Sequence, residues 1–558
     1  MVTKKKFLIK SAEDVLNILR KNKNVFVFSE CEINVGINVY EIIKDNPVEG
    51  IEIILGMNEI QQTDLMSARI TPGLYITNLK FTKSFGVFNS LLSGPVLINN
   101  VIFEKGLQFH HNEYRERVNF TEIDVKGEAS FVSTLARSTF TVTKSMLPLM
   151  KPGFKYSLFE QDVFLFDSQF PKGLDLSSCH FKKKLEISHG QLAGVVDVSH
   201  CRVGHFVLTG AFKGDKPIMI NDLNVGDTVF EQQVQLHNLS LTGTLRGTRA
   251  VFEKELYIDH SVFNSHVRFP AVTAQGIVMV EHCKFEQDLS FSHGLLEKAL
   301  SFTDTAYNGS LWFTGAKIND NIWIGANLRA ENAVSFQGTI GFEASNISAN
   351  SIVRIFHINT VNNVQGKLQM QSALIKGLMD IRNVYLKEIS LDGTVVTGNL
   401  QANGTLAPFV TDWHGARLLK NEAKKINNSI SALAYYRREM ELHAKDLHFR
   451  QTGDWLLLKL NAWSNRYGTS WLIGLSFTVA TGFVCFYFFT LSVHNFRFVQ
   501  PDWPGFLQYF WLPNGLDGLI NTNHTVNGGF IGALFFLLGK ILIAYGIYQT
   551  IAAFRKYL

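Results

Sequence analysis

A short pattern that recurs every eleven residues limits the folds this chain can adopt. In its clearest run, residues 258–328, each unit has an apolar residue, two polar ones, a small residue, any residue and usually a large apolar one. A further apolar residue often stands two positions before the unit, which is the alternation of a strand with one buried face and not the spacing of a helix. A fixed repeat of short strands with small residues between them predicts a β-solenoid.

We predict a solenoid over residues 26–408. Units in phase begin at Leu65, continue after a one-residue slip at 150–154, and finish with the units near the end of the array. The pattern breaks at 209–224 and is irregular over 341–369. We expect these two segments to form bulges or protruding loops, which in solenoids often bind partners.

The units FTGAKI from Phe313 and FSHGLL from Phe291 are close to the form F-x-G-A-x-F. Over roughly residues 65–407 the chain resembles the bacterial pentapeptide-repeat proteins, although many units have Val, Ile or Leu for Phe and Ser, Cys or Thr for Ala. The resemblance implies a right-handed parallel β-helix with four sides. If two eleven-residue units make one coil, residues 22 apart stack at about the strand spacing of 4.7–4.9 Å.

Residues 1–25 are predicted to cap the open end of this solenoid. Ser11 with Asp14 three positions later resembles a capping box, and apolar residues follow at helical spacing. Such a helix would cover the unpaired strand edges of the first coil. The N-terminus lacks the long apolar core of a signal peptide, and 5 cysteines in 558 residues make no disulfide scaffold, so we expect the bulk of the chain to be cytosolic.

Helical patterns replace the repeat near the C-terminal end of the chain. Residues 409–470 predict a neck, either one long helix or a helical hairpin, that ends in an aromatic and mildly basic segment typical of a membrane surface. Residues 471–492 hold no charge and residues 529–554 hold one, and both are long enough to span a bilayer. We therefore predict a transmembrane hairpin over 471–558. The predicted fold class is mainly β: a right-handed parallel β-helix, a helical neck and this hairpin.

Cations flank the two predicted spans on one side of the membrane. The loop 493–528 between the spans offers only Arg497. The cations that precede the first span or follow the second are Arg437, Arg438, Lys445, Arg450, Lys459, Arg466, Arg555 and Lys556. By the positive-inside rule both termini are cytoplasmic. SNRYGTSW at 464–471 and the terminal YGIYQTIAAFRKY also resemble bacterial pentapeptide-like membrane proteins with two C-terminal spans, which implies a multi-pass protein of the bacterial inner membrane and no assigned chemistry.

Lys540 stands near the middle of the second span, where a charge costs roughly 2.5–3.5 kcal/mol on insertion scales. With Gln549 nearer the cytosol, it could line a pore formed by several subunits. Alternatively, it snorkels or bonds to backbone carbonyls within the helix pair. Gly532, Gly539 and Gly546 are spaced seven residues apart, which permits close helix approach along one face and favours a homo-oligomer.

The segment 503–528 between the spans is aromatic at first and then polar and glycine-rich. An interfacial helix is the interpretation we favour, and a re-entrant pore segment is the alternative. The segment contains no carbonyl filter of the potassium-channel type, so it does not predict potassium selectivity.

The pattern predicts no cofactor and no metal site. His260 and His282 are 22 residues apart and would stack in adjacent coils, as would Cys179 and Cys201. The Cys side chains occupy the inward place of the unit and the His side chains the outer one, so they would not converge on one ion. Neither nucleotide-binding nor hydrolase motifs appear, which predicts that the protein is not an enzyme. Near balance of charge in the array argues against nucleic acid as its partner.

Together these features predict a membrane-anchored cytosolic solenoid that acts as an oligomeric channel or pore-type effector or sensor. Its partners would be the lipid bilayer and further copies of itself. The alternative is a non-conducting scaffold, tethered to the membrane, that binds a protein through the breaks at 209–224 and 341–369. A third hypothesis, DNA mimicry of the kind found in soluble pentapeptide proteins, requires a strongly acidic rod, and the near-neutral array and the anchor disfavour it.

Overall fold

Residues 74–401 of the computed structural model form a parallel β-solenoid of about 14 turns, and helices follow. The chain divides into two compact units, one of residues 1–387 and 394–405 and one of residues 388–393 and 406–558. The structure describes residues 7–9, 26–29, 31–33, 37–38, 51–55, 66–70, 74–81, 85–89, 91–148, 153–210, 217–326, 333–360, 362–402, 409–447, 452–494, 496–498, 500, 503–513 and 529–555.

The strands that the structure describes fall into three sheets. Strands of the largest sheet are Phe7–Ile9, Phe26–Ser29, Cys31–Ile33, Ile51–Leu55, Met66–Ile70, Leu74–Phe81, Leu91–Leu92, Val96–Phe103, Glu113–Tyr114, Val118–Val125, Leu135–Ala136, Phe140–Thr143, Leu158–Phe159, Val163–Phe166, His180–Ser188, Arg202–Thr209, Val229–Phe230, Val234–His237, Val251–Phe252, Leu256–Asp259, Thr273–Ala274, Val278–Glu281, Leu295–Leu296, Leu300–Thr303, Lys317–Ile318, Ile322–Gly325, Asn346–Ile347, Ile352–Phe356, Leu374–Ile375, Leu378–Asp380, Val395–Val396 and Asn399–Gln401. A second sheet contains Leu174–Asp175, Leu192–Asp197, Ile218–Asn224, Leu239–Leu241, Leu245–Arg246, Val262–Phe263, Val267–Arg268, Lys284–Phe285, Leu289–Ser290, Ala306–Tyr307, Leu311–Trp312, Thr339–Gly341, Lys367–Gln369 and Glu388–Ser390. The third sheet contains Ile37–Asn38, Phe85–Phe88, Gly106–His110 and Glu128–Ser130.

Each strand in the regular part of the array pairs in parallel with a strand one turn further on. Leu256 is opposite Val278, Val278 is opposite Leu300, and Leu300 is opposite Ile322. These partners are 22 positions apart in the sequence, so the predicted stacking of such residues is confirmed. The right-handed sense of the coil and its four sides stay predictions.

Residues with positive φ recur at a fixed place of the array, which is called a corner below. Asn89, Asn100 and His111, and later His282 and His293, have φ between 47° and 57° and stand eleven positions apart within each group. This conformation is uncommon outside glycine, and Asn, Asp and His adopt it several-fold more readily than other residues. Because these residues occupy the third place of the sequence unit, the backbone itself accounts for the recurrence of histidine there.

The core of the solenoid consists of columns of stacked side chains. Phe263, Phe285 and Tyr307 are at most 1% exposed, and their ring centroids are 4.8 Å and then 5.5 Å apart. Phe291 and Phe313 stack in a further column, with centroids 5.8 Å apart. Burial of each such ring contributes roughly 1.5–3 kcal/mol, and stacked rings at these distances add to it. The array is therefore stabilised by contacts between neighbouring turns.

One sequence prediction needs correction. Residues 341–369 are not mainly a protruding loop, because the strands Asn346–Ile347, Ile352–Phe356 and Lys367–Gln369 continue the array with longer spacing between partners. Phe7–Ile9, which precede the predicted capping helix at 11–21, form a strand paired with Cys31–Ile33. The predicted capping helix itself, and residues 211–216 of the other break, lie outside the described residues.

Six helices are described after the solenoid. They are α1 Trp413–Lys425, α2 Ser429–Asp446, α3 Thr452–Asn465, α4 Trp471–Val493, α5 Trp503–Phe510 and α6 Gly529–Arg555. The neck begins with a hairpin and not one long helix, because Asn427 has positive φ and Asn428 caps α2 through Ser431 N at 3.0 Å. Lys420 of α1 donates to Glu439 of α2 at 2.5 Å.

Helices α4 and α6 are long and apolar enough to cross a membrane, with mean hydropathy of 1.9 and 2.2. Between them, the start of the 503–528 segment forms α5, and residues 514–528 lie outside the described part of the chain. The interfacial and the re-entrant interpretations of this segment both stay predictions. Phe506 and Tyr509 of α5 pack with Cys485 and Phe486 of α4 and with Ile543 of α6. The three helices thus share one small apolar core.

Candidate functional site

Glycines allow α4 and α6 to approach closely. A Cβ at Gly546 would overlap Thr478 Oγ1, and one at Gly474 would lie 2.7 Å from Thr550 Oγ1. A Cβ at Gly482 would meet the Ile543 side chain at 3.2 Å. Small residues on both helices therefore make their contact surface, as is common between helices in membranes.

The other two glycines that were predicted to mark a packing face also meet neighbours in the same chain. A Cβ at Gly539 would overlap the Tyr509 hydroxyl and lie 2.9 Å from Cys485 Cβ. At Gly532 the nearest atom to a Cβ would be Ser492 Oγ, at 3.3 Å. The face that was expected to favour contacts between copies is thus occupied, in the described residues, by α4 and α5.

Lys540 bonds to the end of α5. Its Nζ donates to the carbonyl oxygens of Tyr509 at 2.9 Å and Trp511 at 2.6 Å. The ammonium also lies 5.3 Å from the ring centroid of Phe536 and 5.7 Å from that of Tyr509. Carbonyls at a helix C-terminus carry partial negative charge and lack partners within their own helix. Lys540 therefore closes the last turn of α5. Bonding to backbone carbonyls was one sequence interpretation, but these carbonyls lie in the segment between the spans and not within the helix pair.

Gln549 lies in a different polar cluster, at the junction of α6 with α3. Its Nε2 donates to Asn461 Oδ1 at 3.0 Å, and the Tyr545 hydroxyl donates to the same oxygen at 3.0 Å. Asn465 Nδ2 donates to the Gln549 main-chain oxygen at 3.1 Å and also to its side-chain oxygen. Lys540 and Gln549 therefore do not share one site. Asn461 and Asn465, which sequence reasoning missed, stand four apart before the first span, and two amides at that spacing were the available signal.

The same asparagine shapes the turn between α3 and α4. Asn465 Oδ1 accepts from Gly468 N at 2.7 Å, and Arg466, Tyr467 and Gly468 all have positive φ, at 51°, 60° and 78°. A left-handed conformation costs about 1–2 kcal/mol for each of the two non-glycine residues. The hydrogen bonds that Asn465 donates to Gln549 and accepts from Gly468 offset that cost. They also fix the position of Arg466 at the edge of a cationic cavity.

This basic cavity has a volume of about 370 Å³ and is lined by cations of α2, α3 and the turn that follows α3. The cations are Arg437, Arg438, Lys445, Lys459 and Arg466. The acidic residue in its lining is Glu441, which accepts from Arg437 Nε at 2.7 Å. One carboxylate opposite five cations leaves a strongly positive surface next to the first candidate span. Such a surface suits phosphate groups.

Helix α3 combines this polarity with an exposed apolar surface. Trp455, Leu456, Leu457 and Trp463 are 44–66% exposed. Aromatic residues and leucine beside cations are typical of a segment at a membrane–water interface, where the rings enter the headgroup layer. The exposed side chains of α3 are consistent with the membrane-surface segment predicted there.

The solenoid carries an open groove of about 490 Å³ on the largest sheet. Ser301, Trp323, Arg354 and Asp380 occupy successive outward positions in register across it. Arg382 donates to both oxygens of Asp380, at 2.9 and 2.8 Å, and Arg354 Nε donates to Oδ2 at 3.1 Å. The half-buried Trp323 therefore lies between a small residue and a fixed cluster of charges. Part of this groove comes from the irregular segment 341–369.

Three cysteines of the solenoid that the structure describes, Cys179, Cys201 and Cys283, are placed inside as the pattern predicts. Cys179, Cys201 and Cys283 are buried and unpaired. Burial raises the pKa of the Cys201 and Cys283 thiols to about 12 and that of Cys179 well above its usual range. Protonated thiols bind metal ions poorly and react slowly. These three residues therefore act as small core side chains.

Comparisons with protein families, with curated proteins and with solved structures return no match for this chain.

Proposed function

We propose that the protein is a membrane-tethered binding scaffold, in which the hairpin of α4 and α6 is a closed anchor and the solenoid binds a protein partner. The observation that carries the proposal is the bonding of the two polar residues in the second candidate span. Lys540 is satisfied by two carbonyls of its own chain, and Gln549 by Asn461 and Asn465. An anchor needs no polar group facing a channel, and these residues are already used within the chain.

The basic cavity and the exposed face of α3 support an orientation with the cytoplasm on their side. Five cations at one end of the hairpin fit the positive-inside rule and the anionic headgroups of a cytoplasmic leaflet. In this proposal both termini are cytoplasmic and the host membrane is the bacterial inner membrane. Membership of the pentapeptide-repeat proteins and a right-handed coil are part of the same proposal, and the eleven-residue pattern supports them.

The groove around Trp323 is the proposed partner surface. It joins an aromatic side chain to fixed charges, which is the composition of a protein-recognition surface. In the lining that the structure describes, Glu281 and Asp380 balance Arg354 and Arg382, so the groove carries no strong net charge. The partner would therefore be a protein segment and not nucleic acid.

Site-specific photo-cross-linking in the host cell tests this surface. A photoreactive residue at Ser301, inside the groove, should give a discrete protein adduct that is lost when Trp323→Ala is added. Ser240 is the matched control, because it is a half-buried serine at an outward strand position of another sheet. Equal adducts from Ser301 and Ser240, or none from Ser301, would contradict the proposed surface.

The oligomeric pore is the competing proposal. It is favoured by the position of Lys540 in a helix that is otherwise without charge from Gly529 to Phe554. It requires Lys540 to leave the carbonyls of Tyr509 and Trp511 and face a central channel. The oligomeric state in detergent separates the two proposals, since two helices from a monomer cannot enclose a pore. A ring of four or more copies would favour the pore.

A further inference from the structure

Three histidines surround one carboxylate on the outer surface of the solenoid. The Nδ1 atoms of His237, His260 and His282 lie 3.4, 2.6 and 3.3 Å from oxygens of Asp259. The ligand atoms of His237, Asp259 and His260 all lie within 4.8 Å of one another. These four residues are called the His–Asp cluster below.

The register of the solenoid assembles this cluster from residues that are far apart in sequence. His237 and Asp259 are direct partners on adjacent parallel strands. His260 and His282 have positive φ, and their rings stack with centroids 4.8 Å apart and planes inclined by 20°, so the predicted stacking is confirmed. The corner conformation accounts for histidine at 260 and 282. It does not account for His237 or Asp259, which stand on strands.

The surroundings of Asp259 differ from those of carboxylates on nearby turns. Asp227 receives two hydrogen bonds from the guanidinium of Arg249, at 2.7 and 2.8 Å. The ion-pair partners of Asp259 among the described residues are imidazoles. Neutral imidazole is the commonest protein ligand of transition metals, whereas guanidinium is none. Single imidazoles also lie near carboxylates on other turns, His200 at 4.0 Å from Asp227 and His266 at 3.7 Å from Asp288. Asp259 differs because three imidazoles gather around it.

We propose that the His–Asp cluster binds one divalent transition-metal ion of the zinc class, with His237 Nδ1, His260 Nδ1 and a carboxylate oxygen of Asp259 as its protein ligands. Zinc takes such atoms at about 2.0–2.2 Å in a tetrahedron, so the ligand atoms themselves stand roughly 3.3 Å apart. The 3.4 Å between His237 and Asp259 fits that spacing. His260 and Asp259 are at hydrogen-bond distance, and metal binding displaces the shared proton to solvent.

His282 is a positioning residue of this site. Its Nδ1 lies 3.3 Å from Asp259 Oδ1, within reach of a hydrogen bond that orients the carboxylate. Bonds of this kind to a metal ligand typically change metal affinity by about 10–100-fold when they are removed. Three protein ligands leave the fourth position for water or a group of a bound partner, as in sites that are open to solvent. Imidazole ligands select zinc, cobalt or nickel over magnesium and calcium.

Cobalt(II) tests the site directly, because its absorption spectrum reports the ligands. The full-length chain without an affinity tag, stripped of metal in detergent, should take up one cobalt(II) per chain, with the visible absorption of a four-coordinate nitrogen and oxygen site. Zinc(II) should displace the cobalt(II) stoichiometrically. His237→Gln and Asp259→Asn should each abolish this signal, and His282→Asn should weaken zinc binding by about 10–100-fold.

A matched pair of corner histidines controls for backbone effects. His260 and His111 both have positive φ, which asparagine tolerates. His260→Asn should abolish the cobalt(II) spectrum, and His111→Asn should leave it unchanged. Far-ultraviolet circular dichroism of each variant confirms that the solenoid is folded. Cobalt(II) uptake that is absent in the wild type, or unchanged by Asp259→Asn, would overturn the proposal. The outcome does not depend on whether the hairpin conducts ions.

Discussion

Replacement of Lys540 by methionine separates a structural role from a pore role. Methionine keeps most of the side-chain volume and the apolar contact with Phe536, but it leaves the carbonyls of Tyr509 and Trp511 without their donor. A hydrogen bond that involves a charged group contributes roughly 1.5–3 kcal/mol. The two bonds of Lys540 therefore hold α5 in place by about 3–6 kcal/mol. Removal of the charge also favours insertion of α6 into the bilayer, but this effect does not change how tightly α5 docks.

The expected result is faster opening of α5. Since 1.4 kcal/mol is a factor of ten, a loss of even 3 kcal/mol raises the open population of α5 roughly 100-fold. Hydrogen exchange followed by mass spectrometry on the full chain in nanodiscs measures this in peptides that cover 503–511. Exchange in α2 should not change, because α2 makes no hydrogen bond with Lys540 in the structure as described.

Two variants serve as controls for this prediction. Lys540→Arg retains a cationic donor and should keep exchange of α5 within a few-fold of the wild type. Leu537→Met places the same side chain at a position of α6 that is 58% exposed, and it should have no effect on α5. Unchanged exchange over 503–511 in Lys540→Met would refute the argument that Lys540 is a staple for α5.

Three further predictions concern the packing of both units. Tyr307→Phe should raise the free energy of unfolding by about 1–3 kcal/mol in chemical denaturation, because the buried Tyr307 hydroxyl has no hydrogen-bond partner among the described residues. A lower stability would contradict this. Gly546→Val should lower the melting temperature of the detergent-solubilised chain far more than Gly532→Ala. The reason is that a Cβ at Gly546 overlaps Thr478, while the nearest atom to a Cβ at Gly532 is Ser492 Oγ at 3.3 Å. Equal shifts in melting temperature would contradict the packing of α4 on α6. Burial alone would raise the pKa of Asp380, but hydrogen bonds from Arg382 and the charges of Arg382 and Arg354 hold it below the usual range. The ion pairs of Asp380 therefore stabilise the fold above the pKa of unfolded Asp, about 3.9, and this stabilisation is lost as the pH falls through and below that value. Asp380→Asn should thus make the free energy of unfolding depend less steeply on pH in the acid range.

The solenoid could be predicted because its chemistry is local and repeated. Alternating apolar residues such as Leu300 and Phe302 are buried wherever a strand recurs, and pairing of turns follows from the constant spacing. The repeat also placed Cys201 inside and His260 outside. It failed over 341–369, where the distance between partners grows while the strands continue. The longer connections interrupt the eleven-residue period in the sequence, but the strands still stack on the preceding turn.

The bonds of the hairpin could not be predicted in the same way. The carbonyl groups that bind Lys540 are 29 and 31 residues away, in a segment without a repeating pattern. Every residue has a backbone carbonyl, so residue types do not indicate which carbonyl accepts a hydrogen bond. Nothing in the sequence therefore favoured Tyr509 as a partner of Lys540. Asn461 and Gln549 are separated by 88 residues, and only the packing of α3 on α6 brings them together. His237 was not predicted because histidine recurs at the third place of the unit, whereas His237 stands at the second.

Planar-bilayer recording of the purified full-length protein tests the central claim most directly. If the hairpin is an anchor whose polar residues are bonded within the chain, reconstituted protein at any copy number should give the same conductance as protein-free bilayers. Discrete currents that appear with the wild type and disappear with Lys540→Leu would contradict that claim and establish Lys540 as part of a conducting path.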